Sequence, residues 1–167
     1  MNVEVKVRSL GLDRTTQSPV VILGEVEGER VVPIWIGPAE ASAIAMHLAE
    51  MKFSRPLTHD LLVSVLKGLG GRLEEVVISR VTDATYYAEM VLVRGEERIT
   101  LDARPSDSIA VALRAGARIL AHESLLERAS LSLSEEGLVG EDDLPGAGSA
   151  SGYSPGPASG ASPGSGS

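Results

Sequence analysis

The chain has 167 residues and a mass of 17.4 kDa, room for one domain and some extra chain. It contains no Cys, which excludes disulfides, thiolate chemistry and Cys-ligated zinc or iron–sulfur centres. Hydrophobic residues make up 43%, enough for a core, but aromatics only 3%; that core is built from Val, Ile, Leu and Ala, and no platform of several base-stacking aromatics exists.

The net charge of −8 is unevenly spread. Residues 129–167 hold five acids and no Lys or Arg, which leaves the first 128 residues at 18 acids against 15 bases. Twelve of those bases are Arg, the better residue for bidentate recognition of carboxylate or phosphate. No basic stripe runs along the chain to hold duplex by counterion release, so any contact with nucleic acid must be local. Met1 to Arg8 alternates charged and apolar residues, unlike a signal peptide, and no apolar run approaches the roughly 18 residues of a membrane span. A cytoplasmic protein without membrane contact is expected.

In chain order, Val3, Val5 and Val7 have the period of a half-buried strand. Pro19 to Val26 predicts a second strand, Gly28 a hairpin turn and Val31 to Ile36 a third strand, where Pro33 implies an edge position or a bulge. Gly37-Pro38 stops that strand and starts a helix over Ala39 to Glu50, with Ala41, Ile44, Ala45, Leu48 and Met51 on one stripe. Thr58 predicts the cap of a second helix, with Leu61, Leu62, Val65, Leu66 and Leu69 as its buried face and Gly70-Gly71 as its stop.

The same grammar then recurs. Leu73 to Val81, Tyr86 to Val93 and Arg98 to Asp102 predict three antiparallel strands, with Gly95 in the second turn. Pro105 and Ser106 start a helix that turns Ile109, Ala112 and Leu113 inward and closes at Gly116. A strand over Arg118 to Ala121 and a short helix over Ser124 to Arg128 complete the body. The expected fold is one compact α+β domain over 1–128, a mainly antiparallel or mixed sheet with three main helices. An acidic linker over 129–145 and a disordered Gly/Ser/Pro/Ala-rich tail over 146–167 follow, so the folded part ends between about residues 128 and 139. Runs such as Val20 to Leu23 and Val91 to Val93 are apolar on both faces, which suggests a homo-oligomer.

Three helix starts share a pattern: Gly37-Pro38-Ala39-Glu40, Arg55-Pro56-Leu57-Thr58-His59-Asp60 and Arg104-Pro105-Ser106-Asp107. Each offers a Pro, a carboxylate and free backbone N–H groups that favour an anion. If they converge, Glu40, Asp60 and Asp107 are positioned to hold Mg²⁺ or Mn²⁺, with Arg55 and Arg104 on a phosphate and His59 as general base. That set, with His59, Asp60 and Asp107 as the catalytic residues, is the minimum for metal-assisted phosphodiester hydrolysis. Acids in a first turn also complement the helix dipole, and Arg55 and Arg104 also suit plain ion pairs, so only convergence makes a site. Trp35, between Ile34 and Ile36, is expected in the core, with base stacking the alternative. His47 and His122 are expected to be structural.

Three blocks occur together: Pro33-Ile34-Trp35-Ile36-Gly37-Pro38-Ala39-Glu40-Ala41, Arg55-Pro56-Leu57-Thr58-His59-Asp60-Leu61 and Asp102-Ala103-Arg104-Pro105-Ser106-Asp107-Ser108-Ile109-Ala110. In this order and spacing the chain resembles the bifunctional nuclease family over about residues 3–128. Ser108 stands where that family often has Ala. The resemblance implies a compact α+β fold and a nuclease acting on RNA and DNA; it implies no list of catalytic residues. The alternative function is a non-catalytic module that binds an anion, a nucleic acid or a protein.

Overall fold

The computed structural model describes residues 1–135, the side chains of 131–135 excepted. Its elements are β1 (Asn2–Leu12), β2 (Pro19–Glu25), β3 (Val31–Trp35), α1 (Pro38–Leu48), α2 (Thr58–Gly68), β4 (Arg72–Thr82), β5 (Thr85–Arg94), β6 (Glu97–Ala103), α3 (Pro105–Ala115), β7 (Arg118–His122) and α4 (Glu123–Glu135). Helix α4 runs past Arg128 to Glu135, the last described residue. The rest of the expected linker and the tail over 146–167 lie outside the described residues.

One seven-stranded sheet has the order β3-β2-β1-β7-β4-β5-β6. Two antiparallel meanders, β1 to β3 and β4 to β6, are joined by β7, which pairs antiparallel with β1 and parallel with β4. The repeated grammar of the sequence is thus one α+β domain with a mixed sheet. Pro33 lies on the edge strand β3, where its missing N–H costs the ladder least.

Strand register selects the core face. Val76 is opposite Ile119 on one side and Met90 on the other, and Ile78 is opposite Ala121 and Ala88. Cross-strand neighbours share a face, so these residues line one side with Val5, Leu23 and Ile34 and meet Ile44, Ile109 and Leu126 from the helices. The opposite side carries Glu75, which accepts hydrogen bonds from Arg98 and Arg118 across the strands.

Helix α3 is the centre of the packing. Ser108, Ile109, Ala110, Val111 and Ala112 are all fully buried. Ser108, the residue that departs from the resembled family, donates its hydroxyl to the Arg104 carbonyl at 2.9 Å, so its buried oxygen is satisfied.

Helix α2 differs from the expectation. None of its residues is buried; Val63 and Leu66 pack on the core, while Leu61, Leu62, Val65 and Leu69 are exposed. A run this rich in Leu fits more than one helical stripe, and contact with α3 selects the Val63–Leu66 side. Thr58 is the first helical residue rather than the cap, and the Asp60 carboxylate accepts the Leu57 N–H at 2.9 Å.

These placements predict opposite costs for two similar truncations. Ile109→Ala should lower the unfolding free energy by about 2–5 kcal/mol, the usual range for a filled core site. Leu61→Ala, on the open side of α2, should change it by less than about 1 kcal/mol. Urea titration followed by circular dichroism measures both.

Candidate functional site

Two prolines place the first pair of side chains. The residue before a proline is driven to extended backbone, and Gly37 (φ −77°, ψ 159°) and Arg104 (φ −71°, ψ 143°) are extended. Pro38 and Pro105 then open α1 and α3. From the cap of α3, the Arg104 guanidinium lies over its own first turn and reaches α1. Its Nε donates to Asp107 at 2.8 Å and its Nη2 to Glu40 at 2.9 Å. A Cβ at Gly37 would collide with the Glu40 carboxylate, so the glycine leaves that side chain its place.

Helix α2 adds the third start. His59 Nε2 lies 3.0 Å from Asp107 Oδ1, and the imidazole side chain is 11% exposed. Burial pushes the Asp107 carboxyl up, but hydrogen bonds from His59 and Arg104 outweigh it and hold the group below the ordinary carboxylate range. An ionised carboxylate only accepts. Nε2 therefore donates to Asp107, and in the neutral imidazole Nδ1 is then the nitrogen that carries the lone pair.

Asp60 does not join this group. Its Oδ1 accepts from Arg114 Nε at 2.8 Å and its Oδ2 from the Leu57 N–H. Those backbone and Arg114 bonds pull its carboxyl below the ordinary value against the effect of burial. The Arg114 side chain is 6% exposed and also donates to the carbonyls of Ala43 and Ala110. Helix geometry explains the split. His59 and Asp60 project about 100° apart, and Asp107 and Arg114 stand roughly 10 Å apart along α3. Asp60 thus docks α2 on α3 and α1. Arg114 was not singled out from the sequence; its only signal was a charge in the last turn of an apolar helix.

Arg55 is exposed and makes no ion pair among the described residues. The structure therefore joins Glu40, His59, Arg104 and Asp107, leaves Arg55 free nearby in the chain, and takes Asp60 elsewhere. The fit to a divalent cation follows. Glu40 and Asp107 already share the Arg104 cation, and both Asp60 oxygens are used. Among the described residues no three His, Asp or Glu groups are placed to hold a metal ion. As they stand, the three carboxylates do not make a Mg²⁺ or Mn²⁺ site.

Arg104 also forms one wall of a cleft of about 380 Å³, lined by Ser18, Trp35, Ile36, Gly37 and Tyr86. Trp35 is 50% exposed, against the expectation of a core position. Its indole N–H donates to Asp13 Oδ2 at 3.0 Å. Alternation at the end of the edge strand β3 turns Ile34 and Ile36 inward, which leaves the residue between them facing out.

The sequence profile of the bifunctional nuclease domain matches residues 21–134. The chain belongs to the bifunctional nuclease domain family. Two uncharacterized proteins of Mycobacterium tuberculosis, from strains CDC 1551 / Oshkosh and ATCC 25618 / H37Rv, are each 41% identical over 133 residues, covering 80% of this chain and 79% of theirs. A protein of Oryza sativa subsp. japonica named bifunctional nuclease 2 is 26% identical over 118 residues, 68% of this chain and 36% of that protein. The family domain contains all three blocks, and the Glu40–Arg104–Asp107–His59 group draws one or more members from each. Among the described residues no helix is long and apolar enough to cross a membrane.

Removing the buried guanidinium should weaken the junction of α1, α2 and α3. Arg114→Met should cost about 2–4 kcal/mol, below the full penalty of a broken buried pair because Asp60 is 39% exposed and regains water. Acid should act through the same carboxylates. Asp60 and Asp107 both titrate below the ordinary 3.8 in the folded domain. Each therefore stabilises the fold fully above the unfolded value, and the contribution is lost as pH falls through the lower folded value. The thermal midpoint should be flat with respect to these two groups above about pH 5 and fall below about pH 4. Asp60→Asn should show a lower plateau and a shallower acid limb.

Proposed function

We propose that this family domain hydrolyses phosphodiester bonds of RNA and DNA, with His59 as general base and Asp107 as the group that orients it. The observation that carries this reading is the His59–Asp107 hydrogen bond set beside the exposed guanidinium of Arg104. DNA has no 2′-hydroxyl, so a mechanism common to both substrates uses water as nucleophile. Nδ1 of His59 accepts a proton of that water as it attacks phosphorus, and the P–O bond opposite breaks, its sugar oxygen taking a proton from solvent; Asp107 stabilises the imidazolium, which then returns its proton to solvent. Arg104 retains an Nη1 amino group with no hydrogen bond among the described residues. That group, with Arg55, meets the phosphate oxygens and the charge that develops on them. The relative named bifunctional nuclease 2 supports the substrate class.

A divalent cation has no step in this scheme, because it would need Glu40 and Asp107 to release Arg104. Homo-oligomerisation belongs to the same reading. The exposed Leu61, Leu62 and Val65 of α2, with Leu69 just past its end, offer one apolar face to a second copy.

The deciding measurement uses labelled single-stranded RNA and DNA and highly purified protein, in EDTA and in Mg²⁺ or Mn²⁺. His59→Gln and Asp107→Asn should keep the circular dichroism spectrum and lose cleavage by about 10²–10⁴-fold. Cleavage that survives EDTA supports the dyad; cleavage that requires the cation would return Glu40 and Asp107 to the ligand role expected from the sequence. Binding of the oligonucleotides with no cleavage under any condition would leave the interaction module in place of the enzyme. For assembly, light scattering at micromolar concentration should give a mass above 17.4 kDa that falls to the monomer value in Leu61→Glu/Val65→Glu. A monomer mass for the unsubstituted chain overturns it.

A further inference from the structure

We infer that the cleft beside Arg104 is a nucleobase subsite, which takes one unstacked base of a single-stranded RNA or DNA against the ring of Trp35. The substrate part of this inference rests on the nuclease reading; the binding part stands on the cleft itself.

Trp35 is the first observation. The chain has one Trp, and the fold places it half in solvent at the end of an edge strand, between Ile34 at 1% and Ile36 at 9% exposure. Exposing that ring gives up the stabilisation its burial would bring.

Its restraint is the second. Asp13 Oδ2 accepts the indole N–H, while Asp13 Oδ1 accepts the backbone N–H groups of Thr15 and Thr16 at 2.8 and 2.9 Å. The carboxylate is fixed by its own turn and in turn fixes the indole. A ring already held in place loses little freedom when a ligand stacks on it.

The cleft is the third. Its volume of about 380 Å³ lies at the small end of ligand-sized clefts, which suits one nucleotide and not a folded partner. Tyr86 contributes a second aromatic wall. Burial pushes its phenol up, which keeps that wall uncharged.

Arg104 connects the cleft to the chemistry. Arg104 is one of the residues that line the cleft, and its guanidinium contacts Glu40 and Asp107. A base on Trp35 is therefore held in the cleft that Arg104 also lines, beside the residue that meets the phosphate. The body is slightly acidic, so long-range attraction contributes little and stacking must supply the grip. Stacking is tolerant of sequence because every base presents a π face. It is equally tolerant of the sugar, which fits action on both RNA and DNA, and it requires a base freed from a duplex.

The single Trp is the reporter. The full chain is titrated with 5′-AMP and with ribose 5-phosphate, exciting at the red edge of indole absorption. Saturable quenching by 5′-AMP and none by ribose 5-phosphate is expected. By calorimetry, Trp35→Leu should bind 5′-AMP roughly 5- to 150-fold more weakly, the range for one lost stacking partner. Asp13→Ala keeps the fluorophore but frees the ring, and should weaken binding several-fold. An equal response to ribose 5-phosphate, no saturable response, or unchanged affinity in Trp35→Leu would overturn the subsite. 5′-AMP contains no phosphodiester, so this readout does not depend on cleavage. A protein that binds it at Trp35 and cleaves nothing keeps the subsite and loses only the nuclease reading.

Discussion

Helix α3 can be buried along most of its length only because its residues are small. Ser106, Ser108, Ala110 and Ala112 let neighbouring backbones approach, while Ile109 and Val111 fill the remaining volume. With larger side chains in those positions α1 and α2 could not both lie against the helix, and the three helix starts would point to different parts of the surface. The group formed by Glu40, His59, Arg104 and Asp107 is a product of that close approach.

The helix carries an arginine at each end, and water decides what each does. At the inner end Arg114 is nearly dry and bonds to Asp60 of α2, Ala43 of α1 and Ala110 of its own helix. Its role is to hold α1, α2 and α3 together. At the outer end Arg104 bridges two carboxylates of its own but is 65% exposed. Exposed ion pairs stabilise by little, so exchanging a carboxylate for a phosphate there costs little. The same residue type serves as rivet in one place and as anion contact in the other.

Partners, and not exposure, separate the two aspartates, whose side chains are 31% exposed at Asp107 and 39% at Asp60. Asp107 faces both a histidine and the exposed arginine, an arrangement in which a proton and an anion can be handled side by side. Asp60 has both oxygens committed to α2's own cap and to Arg114. The two carboxylates resemble each other in sequence context and diverge in chemistry because Asp107 meets His59 and the exposed Arg104, whereas Asp60 meets the buried Arg114 and its own helix start.

Much of the fold is legible in the chain. Alternating Val residues, the glycine turns and the Gly37-Pro38 and Arg104-Pro105 starts specify the order of strands and helices, because strand period, turn conformation and proline restriction act over a few residues. The same local rules singled out Glu40, His59, Arg104 and Asp107 as candidates. What they could not decide was which candidates meet. His59 and Asp107 are 48 residues apart, Arg104 and Glu40 are 64 apart, and Asp60 and Arg114 are 54 apart. Those pairings, the exposure of Trp35 and the outward face of α2 follow from how helices share the surface of α3 and from where the sheet ends. Neighbouring residues carry no record of that contact, so the tertiary structure alone decided which acids meet the histidine and which side chains stay in water.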